Sequence, residues 1–279
     1  MNLTKTLTGA CFAMLSLAAC AQAESRWTYD ETDDQVGRIY YYERSNTDGS
    51  MDERITIFRR SATRIEVYKE NGLCRNAALV TTELDLETLS ASAITGGQLQ
   101  PNAQHVDFAY LTADEAGERL DMLVQLPDMQ IEETAEIGHA NWTLFDADFA
   151  NFTVAVPHLD NPRAGFDFGM ALLWADPSVA DPLFWMGDLD AEHVGAGDRL
   201  GFAADEYRLT GSALDHELAI GDEGRLWLDA DEGHLVDIIV PAPSHPGYTD
   251  YRLRLLSVSD GGEAEWTALL TRHFEGCDG

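Results

Sequence analysis

Short runs in which apolar and polar residues alternate recur along this chain, between turns rich in Gly, Asp and Asn. The clearest runs are residues 54–58, 64–68, 151–156 and 251–255, and the first of them follows the turn at residues 46–49. A period of two places successive side chains on opposite faces of a strand. Each run therefore predicts a half-buried β-strand.

The spacing of runs and turns also predicts how the strands are connected. Ile55 and Ile57 would share one face with Ile65 and Val67, and such short connections suit hairpins and meanders better than βαβ units. Amphipathic helices are few, and only residues 112–119 and 177–185 are candidates for a turn or two. We expect a mostly β protein, a curved antiparallel sheet or half-barrel with few short helices.

Charge and composition exclude several classes of protein. The chain has 49 acidic and 18 basic residues, for a net charge of −31, and 45% of its 279 residues are hydrophobic. Such a charge repels phosphate backbones, so nucleic acid is excluded as a partner. The hydrophobic fraction is too high for a disordered chain and predicts a real core.

The N-terminus has the features of a bacterial secretion signal. Lys5 precedes a largely apolar stretch at residues 7–19, which is too short for a resident membrane helix. Two cleavage patterns overlap: residues 17–20 resemble a lipobox that would acylate Cys20 and remove residues 1–19, and residues 21–23 fit ordinary signal peptidase. Both predict an exported protein, either periplasmic or a lipoprotein anchored to the outer membrane, with residues 24–279 as a single antiparallel β domain.

Export determines how the remaining cysteines are interpreted. Cys11 leaves with the signal, and Cys20 is either removed or acylated, so Cys74 and Cys277 are the pair that remains. An oxidising compartment allows such a pair to close. We expect a Cys74–Cys277 disulfide.

One segment is unusually rich in large apolar side chains. Its members are Phe166, Phe168, Trp174, Phe184, Trp185 and Met186. These six side chains either line the mouth of an apolar ligand cavity or form the core beneath a sheet. The first alternative makes them the candidate ligand-binding residues.

The sequence shows no catalytic or metal-binding signature. The eight histidines occur singly, and neither a GxSxG elbow nor an HExxH motif is present. Neighbouring carboxylates occur at Asp146 and Asp148, at Asp188 and Asp190, and at Asp229, Asp231 and Glu232. None of these groups has the ligand spacing of an EF-hand. We predict a non-enzymatic protein without a cofactor or metal ion.

Residues 224–240 form a predicted hairpin with an aromatic residue, Trp227, before the turn and Gly233 closing it. This hairpin resembles those of the LolA/LolB-like bacterial lipoprotein-carrier superfamily and of its periplasmic relatives. The resemblance implies an open antiparallel half-barrel with an apolar cavity for lipid or acyl chains. No functional residue of the family maps onto a position of this chain.

These observations lead to one main functional hypothesis and two alternatives. The main hypothesis is an envelope protein that binds an apolar ligand, such as a lipid or acyl chain, or an envelope partner. The first alternative is a carbohydrate-binding or carbohydrate-active β protein that uses Trp142, Trp174 or Trp185 as stacking platforms. The second is a structural envelope protein without a ligand.

Overall fold

The fold is dominated by one sheet of fifteen strands, seen in a computed structural model that describes residues 25–174, 176, 179 and 181–277. The strands are β1 (Ile39–Ser45), β2 (Glu53–Ser61), β3 (Arg64–Glu70), β4 (Ala77–Leu84), β5 (Ala91–Gln100), β6 (Gln104–Ala113), β7 (Arg119–Leu126), β8 (Met129–Glu136), β9 (Trp142–Leu144), β10 (Phe166–Leu173), β11 (Leu183–Arg199), β12 (Phe202–Thr210), β13 (Gly224–Asp229), β14 (Leu235–Val240) and β15 (Tyr251–Ser259). Among the described residues, two α-helices accompany them, α1 (Ala150–Ala155) and α2 (Gly262–Arg272). Short 3₁₀ turns occupy Pro101–Ala103, Phe145–Ala147, Val156–His158, Pro162–Ala164 and Ser212–Asp215.

The strand order runs β8-β7-β6-β5-β4-β3-β2-β1-β15-β14-β13-β12-β11-β10-β9. Every pair of neighbouring strands is antiparallel except β9 and β10, which are parallel. The sheet is not closed, because β8 and β9 remain as its two edges. The predicted fold class, a mostly β protein with a large antiparallel sheet and few short helices, is confirmed.

The pairing predicted for the first two runs is also confirmed. In the β2–β3 ladder, Ile57 lies opposite Val67. Ile55, Ile57, Ile65 and Val67 are all buried in the same cluster. The alternation at residues 251–255 is likewise a strand, the first part of β15.

The strand predicted at residues 151–156 is wrong, because this segment forms α1 and continues into the turn Val156–His158. All six residues of α1 are buried, including the polar Asn151 and Thr153, so the segment has no exposed face and its periodicity does not identify a helix. The helical turn predicted at residues 112–119 is also wrong: these residues end β6 and form the turn into β7. In the second predicted helix, residues 183–185 belong to β11, and residues 177, 178 and 180 lie outside the described part of the chain.

Among the described residues, the buried apolar side chains form three clusters. The inner cluster packs one face of the sheet against residues 142–159, where the rings of Phe145, Phe149 and Phe152 contact Tyr251 and Phe168. The outer cluster lies under α2 on strands β1 to β5, and the third joins strands β5 to β8 with β9 to β11. We call residues 142–159 the inner segment; it packs on the inner face of the sheet.

Candidate functional site

Three of the six predicted ligand-binding residues lie in the core. Phe166, Phe168 and Met186 are 3%, 1% and 4% exposed. Phe168 packs against Phe152 of the inner segment, with ring centroids 4.5 Å apart, and Phe166 packs against Tyr207 at 5.4 Å. Their predicted role in ligand binding stays a prediction.

Trp185 is partly buried and fits against the backbone of its neighbours. A Cβ atom at Gly169 would stand 2.1 Å from the Trp185 ring, and one at Gly138 would stand 2.8 Å from it. Only glycine permits so close an approach. The Trp185 indole therefore packs against β10, and the backbone at Gly169 and Gly138 covers part of the ring.

Trp174 and Phe184 line an open groove of about 360 Å³. Leu172 of β10 lies opposite Phe184 of β11 in the ladder, so the residue two positions further on, Trp174, comes close to Phe184. The backbone N–H of Trp174 donates a hydrogen bond to the backbone carbonyl of Pro182 at 2.6 Å. The remaining groove residues are Val179, Asp181, His216, Glu217 and Leu218.

His216 forms the far wall of this groove. Its ring stacks on Phe184, with centroids 5.0 Å apart and an interplanar angle of 4°. The His216 Nδ1 accepts a hydrogen bond from the Leu218 N–H at 3.3 Å, which fixes the ring. We call the seven residues the Trp174–Phe184 groove; its walls are mainly apolar and aromatic, with carboxylates at Asp181 and Glu217.

A buried cluster of charged side chains lies between the sheet and the inner segment, and the sequence did not predict it. Asp148 of the inner segment is 0% exposed and forms ion pairs with Lys69 of β3 at 2.7 Å and Arg44 of β1 at 3.0 Å. The Tyr251 hydroxyl donates to the same carboxylate at 3.2 Å. Lys69 is the only lysine after Lys5.

The electrostatics of this cluster are set by burial and by its two cations. Burial alone would raise the pKa of Asp148, but the charges of Arg44 and Lys69 outweigh burial and hold this pKa below its ordinary value. Beside them, burial and the same two cations lower the pKa of His245 to about 2, so this imidazole is neutral at pH 7. Because Asp148 is fully buried, the cluster holds the inner segment against the sheet and offers no carboxylate to a substrate.

The predicted cysteine pair lies where a disulfide requires it. Cys74 and Cys277 are at disulfide distance, with Cα atoms 5.6 Å apart. Cys20, the predicted lipidation site, and the predicted signal at residues 1–23 lie outside the described residues. Within the described part of the chain, neither helix is long and apolar enough to cross a membrane.

Comparison with known proteins finds no matching family model and no matching curated protein. Solved structures similar to this chain include a β-barrel-like protein of a domain of unknown function, DUF1849, from Brucella abortus, with a TM-score of 0.40, 8% identity, and coverage of 80% of this chain and 96% of that chain. A DUF1329 family protein from Desulfovibrio piger aligns with a TM-score of 0.23, 8% identity, and coverage of 82% and 87%. A putative outer membrane lipoprotein-sorting protein domain from Vibrio parahaemolyticus aligns with a TM-score of 0.23, 11% identity, and coverage of 87% and 95%. These likenesses are too distant to assign a function, and membership of the lipoprotein-carrier superfamily stays a prediction.

Proposed function

We propose that this chain is an exported, non-enzymatic envelope protein that binds the apolar part of a lipid or other amphiphile in the Trp174–Phe184 groove. The observation that carries the proposal is the groove itself, in which Trp174, Phe184, Val179 and Leu218 surround about 360 Å³ of open space. This volume falls within the roughly 300–1,000 Å³ typical of small-molecule sites. The N-terminal pattern, which predicts a secretion signal at residues 1–23 or at residues 1–19, supports export.

The groove is favoured over the interior of the sheet because the interior is filled. Beside Phe152 and Phe168, on the inner face, the cavity measures only about 10 Å³. That is about the space one water molecule needs. An acyl chain held there would have to displace the inner segment, together with the ion pairs of Asp148.

Charge determines which polar end the amphiphile carries. Asp181 and Glu217 lie in the groove, and the whole chain has a net charge of −31. An anionic head group would be repelled by both. The proposed ligand therefore has an uncharged or cationic polar end.

The position of the ionisable groups supports a non-enzymatic role. Asp148, Arg44 and Lys69 form a buried cluster to which a substrate has no access. Further buried charges, at Arg59, Glu66, Asp205 and Asp237, are held in ion pairs of their own. The Trp174–Phe184 groove itself contains His216 and two carboxylates, and the His216 Nδ1 is engaged by the Leu218 N–H. Such a groove is equipped for apolar contact more than for proton transfer.

A pair of fluorescent probes with matched chains tests the proposal. An undecyl chain with a dansylamide at one end and a free ammonium group at the other should bind the purified protein about fivefold more tightly than the matched chain that ends in a carboxylate. The carboxylates of the groove attract the ammonium end and repel the carboxylate end. Trp174→Ala should weaken binding of the amine about 10- to 30-fold, since it removes about 2 kcal/mol of apolar contact. Fluorescence titration at constant salt measures both effects.

The matched control is Val106→Ala, which shortens an exposed apolar side chain on β6, outside the groove. This variant should bind the amine like the wild type. Equal weakening by both substitutions would contradict a specific groove. Binding of a neutral oligosaccharide with no binding of either probe would overturn the proposal in favour of a carbohydrate-binding protein.

A further inference from the structure

The turn between β13 and β14 brings together three potential metal ligands, none of which belongs to the Trp174–Phe184 groove. Asp229, Glu232 and His234 each offer one ligand atom, and these atoms all lie within 4.8 Å of one another. The Asp229 Oδ1 accepts the backbone N–H groups of Asp231 and Glu232 at 3.0 and 2.8 Å. Gly233, with φ of +75°, allows the tight turn that returns the chain to β14.

His234 is the unusual member of this group. It is 1% exposed, and neither of its ring nitrogens has a hydrogen-bond partner. A buried polar group without a partner is costly and rare in native proteins. Its Nδ1 points to the cluster, 3.5 Å from the Glu232 Oε2, and Tyr40 and Phe202 pack around the ring.

The surroundings of the cluster are strongly negative. Asp229 and Glu232 line an open cavity of about 550 Å³. The same cavity is lined by five further carboxylates, those of Asp33, Asp34, Asp205, Asp231 and Asp260. Arg59 pairs with Asp34, and Arg163 pairs with Asp205. Within the described part of the chain, Arg38 is the one arginine that lines the cavity. Carboxylates therefore remain in excess over cations here.

We propose that Asp229, Glu232 and His234 bind a divalent transition-metal ion such as Zn²⁺, with the fourth coordination position open to the cavity. One histidine nitrogen and two carboxylate oxygens form a ligand set that suits zinc, and three protein ligands with an open position are usual where the metal also holds water or a ligand. The inference is independent of the proposed amphiphile binding.

The geometry needs little adjustment to accept the ion. Ligand atoms about 2.0–2.1 Å from a tetrahedral zinc stand about 3.4 Å from one another. The distance between the His234 Nδ1 and the Glu232 Oε2 already has this value, at 3.5 Å.

Arg38 is the competitor for Glu232. Its Nη1 donates to the Glu232 Oε2 at 2.6 Å and its Nη2 to the Oε1 at 3.0 Å. Glu232 is exposed, so its carboxylate can keep the Nη2 contact while its other oxygen exchanges the Nη1 contact for the ion. In this arrangement Arg38 orients a ligand without leaving the site.

The test uses the full mature chain, stripped with EDTA and titrated with ZnCl₂ by calorimetry, and with CoCl₂ by visible absorption. We expect one Zn²⁺ per chain, an increase in Tm on binding, and a cobalt spectrum of a four- or five-coordinate site. His234→Ala and Glu232→Gln should each weaken Zn²⁺ binding at least about a hundredfold. Asp231→Asn is the matched control, because it removes one charge from the same turn without removing a ligand, and it should bind within a factor of about three of the wild type.

If His234→Ala fails to fold because His234 is buried, Glu232→Gln still tests the site. Glu232 is exposed, and its replacement leaves the core intact. Absence of stoichiometric Zn²⁺ binding in the wild type would overturn the proposal. So would a loss of binding in Asp231→Asn as large as that in Glu232→Gln, because it would show general attraction by carboxylates and no defined site.

Discussion

Cys277→Ser should lower the free energy of unfolding by about 5 kcal/mol. Cys74 and Cys277 are 203 positions apart in sequence, and in the chain-entropy model a cross-link stabilises the folded state more as the loop it closes grows longer. The C-terminal end keeps other native contacts, because His273 bonds the Tyr68 hydroxyl at 2.6 Å and the carbonyl of Arg75 at 2.7 Å. The loss therefore arises mainly from the greater freedom of the unfolded chain, and chemical denaturation measures it.

Two controls separate loss of a disulfide from loss of a side chain. The double variant Cys74→Ser/Cys277→Ser should be no less stable than Cys277→Ser alone, and wild-type protein in reducing agent should match both. If the two serine substitutions have small effects that add, and reduction changes nothing, the cysteines are not bonded.

Asp148→Asn should lower the free energy of unfolding by about 3–5 kcal/mol at pH 7. The substitution keeps the shape of the side chain but removes the buried counter-charge that Lys69 and Arg44 share, so that Arg44 keeps only its pair with Glu53. Breaking a buried ion pair on one side has a cost of this size. As a control, Asp121→Asn breaks the exposed pair with Arg119 and should cost no more than about 1 kcal/mol.

The effect of Asp148→Asn should depend on pH in a defined direction. The folded pKa of Asp148 is below its ordinary value, so the carboxylate stabilises the protein above the unfolded pKa of about 3.9, and this contribution disappears as the pH falls through the folded pKa. The difference between wild type and variant should be complete at pH 7 and should shrink below about pH 4. A difference that is the same at pH 3 and pH 7 would contradict the ion-pair explanation.

The alternation of apolar and polar residues at 54–58 and 64–68 correctly predicts strands β2 and β3 and their shared inner face. The expected half-burial of these two strands is wrong, because their other face is also buried, under α2. The run at residues 151–156 is buried on all sides as α1, so its alternation of polar and apolar residues does not reflect one buried and one exposed face of a strand. Helix α2 is absent from the sequence prediction, although Trp266 and Leu270, its two buried residues, have helical spacing.

The candidate sites were predicted only where one segment contributes most of the residues. Trp174 and Phe184 were predicted from the aromatic density of a single segment, and both line the groove. The other wall, His216 and Leu218, comes from a distant turn, and no local pattern connects it to the first. Asp148 and Lys69 meet only because the inner segment folds back onto β3, which the sequence does not show; the isolated lysine was the one available signal.

The most direct test of the proposed function is native mass spectrometry of the mature protein released from the bacterial envelope without detergent. We predict a bound amphiphile with an uncharged or cationic polar end, at one molecule per chain, which is lost in Trp174→Ala and retained in Val106→Ala. A wild-type protein that carries no such molecule, or a molecule retained equally in Trp174→Ala, would contradict binding in the Trp174–Phe184 groove.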